Sequence, residues 1–343
     1  MNQIPLHRMA IVRPFAEIAD SIGVPLQLAF RRVRLPYMAL DHADVYVPSE
    51  RFLRFVMDLV LREGIDNLGF LVGRRFGVSS LDPEMPFYLH RSPTLFEAMQ
   101  AFAELSNRTV TNCHVGIAAA PGANVTRFYH SPSCKDSNPA SAQITWFGLM
   151  AMLGLVRTFR GPGWTPADIG VIGSAMPGET IRQAFSPTTF HVSRGISWIE
   201  IPNDFLSSSL LPRDPNLREY QPDAVGPVAD DLVGSIRHLI GAYCESDRFT
   251  MGDAAELAGM SMRTLQRRLS ESGTSFSAIE SQSRHAVACR LLRETDAPIT
   301  EISNRLGYAY PNHFSRAFRK LGGVSPRAFR ASLAARGQSA KSH

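Results

Sequence analysis

Apolar residues recur with two different periods in the first two-thirds of the chain and with one in the last third. In residues 51–62 (RFLRFVMDLVLR), Phe52, Phe55, Val56, Leu59 and Val60 fall on one face at helical spacing. Residues 94–105 (TLFEAMQAFAEL) predict a second amphipathic helix, with Ser92 and Pro93 as its start signal. Residues 114–120 and 125–130 read as strands separated by a turn at Pro121 and Gly122. Residues 140–159 form one long, largely apolar helix, and 169–172 and 197–201 read as further strands. This mixture predicts an α+β domain. Between Leu211 and Asp230, Pro212, Pro215, Pro222 and Pro227 break any long helix or inner strand and mark a linker. Beyond it every segment reads as a short helix.

Two of those segments repeat a pattern. In 298–306, Ile299, Ile302 and Leu306 space a short helix that starts near Pro298. Gly307 follows and permits the left-handed conformation that ends a helix and turns the chain. The next helix starts near Tyr310 and Pro311, with Phe314 and Phe318 as anchors four residues apart. Forty-eight residues earlier, Ala254, Ala255, Leu257 and Ala258 precede Gly259, and Leu265 and Leu269 anchor the helix that follows. Two short helices joined by a glycine turn, the second polar and basic outside, make a helix-turn-helix, here present twice. Residues 276–294 predict a connecting helix with Ile279, Ala286, Cys289 and Leu292 on one face. Recognition helices entering one face of a duplex would sit about 34 Å apart.

Charge sharpens this picture only when divided. From residue 240 onward there are 15 Lys+Arg against 9 Asp+Glu; the preceding residues hold 21 against 22. The excess positive charge therefore belongs to the helical third, which suggests a polyanionic partner. Only Lys135, Lys320 and Lys341 are lysines, and arginine is the better bidentate partner for phosphate and guanine. The most apolar run, Trp146–Val156, is too short to cross a bilayer and reads as a buried helix. The opening MNQIPLHRMAIVRPF has no continuous apolar core, so a cytoplasmic protein without a secretory leader is expected. Cys113, Cys134, Cys244 and Cys289 fit neither a zinc pattern nor a disulfide framework and are expected to be reduced thiols. His90, His114, His130 and His191 form no spaced cluster and read as structural histidines; no nucleophile elbow, P-loop or dinucleotide fingerprint occurs.

The segment EISNRLGYAYPNHFSRAFRKLGGVSPRAFR closely resembles the signature of the AraC/XylS family of bacterial transcription regulators. The resemblance rests on Leu306-Gly307-Tyr308, Phe314–Phe318, Gly323, Ser325-Pro326 and Phe329-Arg330, and DAAELAGMSMRTLQRRL resembles the family's first helix-turn-helix. More loosely, LGFLVGRRF, SPTLFEAMQAFAEL and WIEIPNDFLSSSLLPRDPNL resemble the sensor domain labelled arabinose-binding. The resemblance implies an α+β N-terminal sensor domain plus an all-α C-terminal domain with two helix-turn-helix units. Residues 1–211 would serve ligand sensing or dimerisation, 212–228 would be the linker, and 229–343 would bind DNA.

Arg263, Thr264, Gln266, Arg267 and Arg268 lie on the outer face of the first recognition helix, and Asn312, His313, Ser315, Arg316 and Arg319 on the second. A solvated face is the usual meaning of an Arg-rich stripe, but it leaves the duplicated glycine turn unexplained. Arg319 and Lys320 are equally well read as phosphate contacts or solvated charges. The resemblance implies double-stranded promoter DNA as partner, with RNA polymerase, a homodimer partner and a small-molecule effector as further partners, and no membrane. Neither cofactor, metal nor catalysis is expected, and activation is favoured over repression by resemblance alone. Two other classes stay open: an N-terminal domain that only mediates assembly, and an enzyme fused to a DNA-binding module, which would need a clustered cysteine zinc site.

Overall fold

The computed structural model describes residues 3–78, 84–111, 113–120, 122, 124–132, 139–173, 176–193, 195–209, 229, 231–246 and 248–339. The chain enters on strand β1 (Leu6–Arg8) and helices α1 (Met9–Ser21) and α2 (Leu26–Arg32). A 3-10 turn (Tyr37–Asp41), strand β2 (Tyr46–Pro48) and helix α3 (Ser49–Glu63) follow. β1 pairs antiparallel with β2, Leu6 opposite Pro48. Next come α4 (Leu68–Arg75), α5 (Met85–Arg91) and α6 (Leu95–Thr109), then strands β3 (Cys113–Ala119) and β4 (Val125–Pro132) and helix α7 (Pro139–Arg160). Strand β5 (Asp168–Ile172), helix α8 (Glu179–Ala184), and strands β6 (Thr189–Ser193) and β7 (Ser197–Pro202) complete the α+β region. Its sheet has the order β3-β4-β7-β5-β6. Only β5 and β6 are parallel, and α8 supplies the crossover a parallel pair needs.

α7 packs against the sheet and against α3, α4 and α6, with Leu149, Met152, Leu153, Leu155 and Val156 all buried. Its approach to α4 is close: a Cβ on Gly69 would lie 1.8 Å from the Gln143 carbonyl oxygen. Gln143 in turn caps the start of α4, its Oε1 accepting from Gly69 N at 2.8 Å. Contrary to the expectation from the Trp146–Val156 run, this helix is long and apolar enough by length and composition to cross a membrane. Yet 72% of its most apolar window is buried within the protein.

The predicted helices and four predicted strands are present, with differences at the ends. Thr94, not the Ser92-Pro93 pair, caps α6, through a capping box with Glu97. β6 escapes prediction because only Phe190 along it is buried. β1 and β2 are three residues each and buried throughout, so neither shows alternation.

The last third contains α9 (Leu232–Tyr243), α10 (Met251–Leu257), α11 (Met262–Glu271), α12 (Phe276–Glu294), α13 (Ile299–Arg305), α14 (Pro311–Gly322) and α15 (Pro326–Ser339). α12 is the spine: Ile279 belongs to a core with α9, α10 and α11, whereas Val287, Ala288, Leu291 and Leu292 belong to a core with α13 and α14. Of its expected inner face, Ile279 and Leu292 are buried and Cys289 is half-buried, but Ala286 is exposed. The inner stripe turns through Ser283, whose hydroxyl reaches the Arg237 carbonyl of α9 at 3.3 Å. The proline-rich linker lies outside the described residues. On either side of it the two regions share a core, because Ile4, Leu6 and Tyr46 pack with Leu232, Ile236, Leu239 and Ile240 of α9.

Candidate nucleic-acid interface

Each helix pair is built by the same local rules. Thr250 caps α10 through a capping box with Asp253, Ser261 caps α11 by accepting from Thr264 N at 3.1 Å, and Pro311 occupies the first turn of α14. The turns between the helices rest on Gly259 at φ 63° and Gly307 at φ 75°, where a side chain would be strained. Leu265 and Leu269 bury one face of α11, and Phe314 and Phe318 one face of α14. Each such side chain contributes roughly 1.5–3 kcal/mol on burial. The opposite faces are thereby fixed outward.

On α11, Arg263, Gln266 and Arg267 are exposed, and Thr264 and Arg268 are half-buried. The Thr264 hydroxyl is 2.9 Å from that of Ser261, so it belongs to the cap as much as to the outer face. Arg267 lies 3.5 Å from Glu271 across one exposed helical turn, a pair weak enough for a phosphate to displace. On α14, Asn312, His313, Arg316 and Arg319 are exposed and Ser315 is half-buried. The exposed Tyr310 ring packs edge-on against His313 at 5.4 Å, bringing an aromatic group to the front of α14 that the helical pattern did not single out.

The structure divides the arginines of this region into two sets. Glu245, just past the end of α9, has a side chain only 7% exposed that receives Arg290 of α12 at 3.1 Å and Arg305 of α13 in a shorter ion pair. Glu280 receives Arg248 and Arg284 at 3.3 and 3.1 Å. Arg290 and Arg305 tie α12 and α13 to the end of α9, Arg248 ties the segment before α10 to α12, and Arg284 pairs within α12. Among the described residues, none of Arg263, Arg316 and Arg319 is held in an ion pair, so their charge is available to an outside anion.

Sequence reasoning missed a second constellation, where the α+β region meets α9 and α10. The Arg51 side chain, 5% exposed, lies 2.5 Å from Asp253 Oδ1. It also donates to the Tyr243 hydroxyl at 2.9 Å and to the Arg34 carbonyl at 3.0 Å. Tyr243 Oη donates to that same carbonyl at 2.6 Å. Arg34 has φ 55°, a left-handed backbone unusual for a side chain of its size. Burial works to raise the Asp253 carboxyl pKa, but hydrogen bonds from Thr250 and the Arg51 charge outweigh it and leave it below its ordinary value. Nothing local marks Arg51 as buried; its partners lie about two hundred positions further along the chain.

A family model described as the arabinose-binding domain of AraC transcription regulator, N-terminal, matches residues 23–208. A helix-turn-helix domain model matches residues 254–332. The chain belongs to the AraC family of transcription regulators. It is 38% identical over 95 residues to the transcriptional activator NphR of a Rhodococcus species, which is 28% of each chain. It is 30% identical over 139 residues to the ornithine utilization regulator of Pseudomonas aeruginosa, 39% of this chain and 41% of that one. The alignments thus span less than half the length of these curated relatives. The crystal structure of transcriptional regulator CdpR from Pseudomonas aeruginosa aligns over 83% of this chain and 92% of its own, at 17% identity and a TM-score of 0.37.

Proposed function

We propose that this AraC-family protein binds promoter DNA through α11 and α14 and regulates transcription, as an activator, under control of a small molecule held by the α+β region. The observation that carries the reading is the outward arginines on two helices that follow duplicated glycine turns, of which Arg263, Arg316 and Arg319 have no ion-pair partner among the described residues. Arg263, Gln266 and Arg267 are assigned to one half of the site. Asn312, His313 and Arg316 are assigned to the other, and Arg319 to the phosphate backbone. The half-buried Thr264, Arg268 and Ser315 flank these contacts. Residues 1–211 form the sensing part and 229–343 the DNA-binding part of this reading.

The Arg51–Asp253 pair favours control over mere assembly. Asp253 caps the first helix of the first helix-turn-helix, so a change in the α+β region has a direct route to DNA-binding geometry. Activation would require contact with RNA polymerase, and a homodimer would present two copies of the unit to adjacent half-sites.

The test is the affinity of the full chain for a promoter fragment at several salt concentrations. Neutralising phosphates with exposed arginines predicts a steep linear fall of log affinity with log salt, at a slope of about −0.9 per phosphate contact. A flat dependence would refute the electrostatic assignment.

A further inference from the structure

Inside the α+β region a cavity of about 70 Å³ lies between α6, α7 and the strands β3 and β4, and β1 closes one side. Ile11, Phe102, Leu105, Val115 and Phe147 supply most of its wall, and Met85 and Met152 add unbranched, adaptable side chains. Among the described residues no charged side chain lines it. Its polar groups are few, and two are imidazoles. His7 is tied off, its Nδ1 lying 2.7 Å from the Ser49 hydroxyl. His130 is not: the residue is 5% exposed, and among the described residues its Nδ1 has no hydrogen-bond partner. Gly148 of α7 sits against this ring, where a Cβ would come within 3.3 Å of it.

A buried imidazole nitrogen without a partner is costly to keep, because it has given up water and received nothing. Burial also pushes the His130 pKa down to about 4, so near neutral pH the ring carries no charge with which to hold an anion. A carboxylate in this cavity would lie in apolar surroundings without a counter-charge. A sugar would bring several hydroxyls to a wall with few polar atoms to meet them.

We infer that this cavity is the effector site and that its ligand is a small, uncharged, mostly apolar molecule whose single hydroxyl or carbonyl end pairs with His130. A hydroxyl suits either tautomer of the ring, since it can donate or accept. Met85 and Met152 repack to admit the rest of the molecule. This deepens the effector-controlled reading above and rests on it for its purpose, but not for its test.

The experiment measures binding to the full chain without DNA, by saturation-transfer NMR and calorimetry. The probes are phenol, cyclohexanol and 1-hexanol, with benzoate and L-arabinose as charged and polyhydroxylated controls. The neutral probes are expected to bind and the controls not to. His130→Phe should weaken the neutral probes about tenfold or more. Ala151→Leu, which grows into the same cavity, should do likewise and guards against a folding defect in the first variant. The circular dichroism of both variants is compared with that of the parent chain. Failure of all three neutral probes, tighter binding of benzoate or arabinose, or indifference of the neutral probes to both substitutions overturns the assignment. If the probes bind at His130 but DNA affinity does not respond, the binding chemistry of the cavity stands and its role as an effector site fails. If DNA affinity responds to a molecule whose binding ignores both substitutions, effector control stands and this cavity is the wrong site.

Discussion

Arg51 and Asp253, separated by 202 positions, meet at 2.5 Å with 5% and 14% of their side chains exposed. One lies on α3 of the α+β region and the other in the capping box of α10. Asp253 thus has two tasks, one oxygen accepting from Thr250 N at 3.0 Å and the other facing the guanidinium. Removing one partner of such a pair is expensive, because the survivor stays desolvated. Asp253→Asn keeps one acceptor for the cap but removes the charge and turns an amide N–H donor toward the buried guanidinium, so it should cost about 3 kcal/mol. Arg51→Met leaves Asp253 partly exposed and capped, and should cost less. The double variant should lose less than the sum of the two. Urea unfolding of all four proteins gives the cycle, and an interaction energy under about 0.5 kcal/mol would show that the contact is not a coupling point.

The two buried histidines make a prediction about acid. Burial lowers His7 to about 3, with a smaller contribution from His130, and burial lowers His130 to about 4. Unfolded, each imidazole takes a proton near pH 6.5. Their contribution to stability is therefore complete above pH 6.5 and is lost as the pH falls toward the folded values. In that window the unfolded chain binds protons that the native chain refuses, at roughly 1 kcal/mol per pH unit for each. Unfolding free energies from pH 7 to 5 should fall by an amount on the order of 3 kcal/mol from these two groups. His130→Phe should remove about half of the slope. An unchanged slope in that variant would mean that His130 titrates normally.

How far the residue pattern reached depends on the range of the interactions involved. The glycine turns, the anchors Leu265, Leu269, Phe314 and Phe318, and the outward arginines follow from spacing alone, because helix period and turn chemistry are local. Which arginines are structural does not follow from spacing. Arg290 and Arg305 resemble Arg316 in the chain, and only the three-dimensional position of Glu245 separates them. Ile4, Leu6 and Tyr46 look like parts of an ordinary N-terminal segment, yet they complete a core begun by α9. His130 reads in isolation as a structural histidine on a strand; only the folded packing shows that, among the described residues, its Nδ1 has no partner.

Gln266 and Arg267 of α11 should differ from Arg319 of α14 in what their loss does to DNA binding. Gln266→Ala and Arg267→Ala, on the exposed face of α11, should each cost about 1–3 kcal/mol and relax preference in one half of the site. Arg319→Ala should weaken all sequences alike and reduce the salt slope by about 1. Competition binding against a set of single-base variants separates the two outcomes. If Arg267→Ala leaves preference intact, α11 does not read bases.

The shared core sets the terms for control by an effector. Leu6 and Ile4, 0% and 1% exposed, fill the space beside Leu239 and Ile236 of α9, and the Ile4 amide donates to the Ser235 hydroxyl at 3.3 Å. The next residue after Leu6 is His7, which lines the cavity and bonds Ser49, the first residue of the helix that carries Arg51. Two contacts to the DNA-binding region therefore flank one wall of the cavity. A ligand shifts an equilibrium only by its differential affinity for two arrangements, and typical coupling is about 1–3 kcal/mol, or 5- to 150-fold in DNA affinity. Leu6→Ala should destabilise the chain by about 2–5 kcal/mol, with α9 losing amide-exchange protection together with β1. Arg51→Met should keep DNA binding, since Arg51 is on neither α11 nor α14, but reduce the effector's influence on it, leaving only the part carried through β1 and α9. The measurement is promoter affinity of the full chain and of Arg51→Met, each with and without a neutral probe that binds the cavity. An undiminished response in Arg51→Met would place the route of control elsewhere.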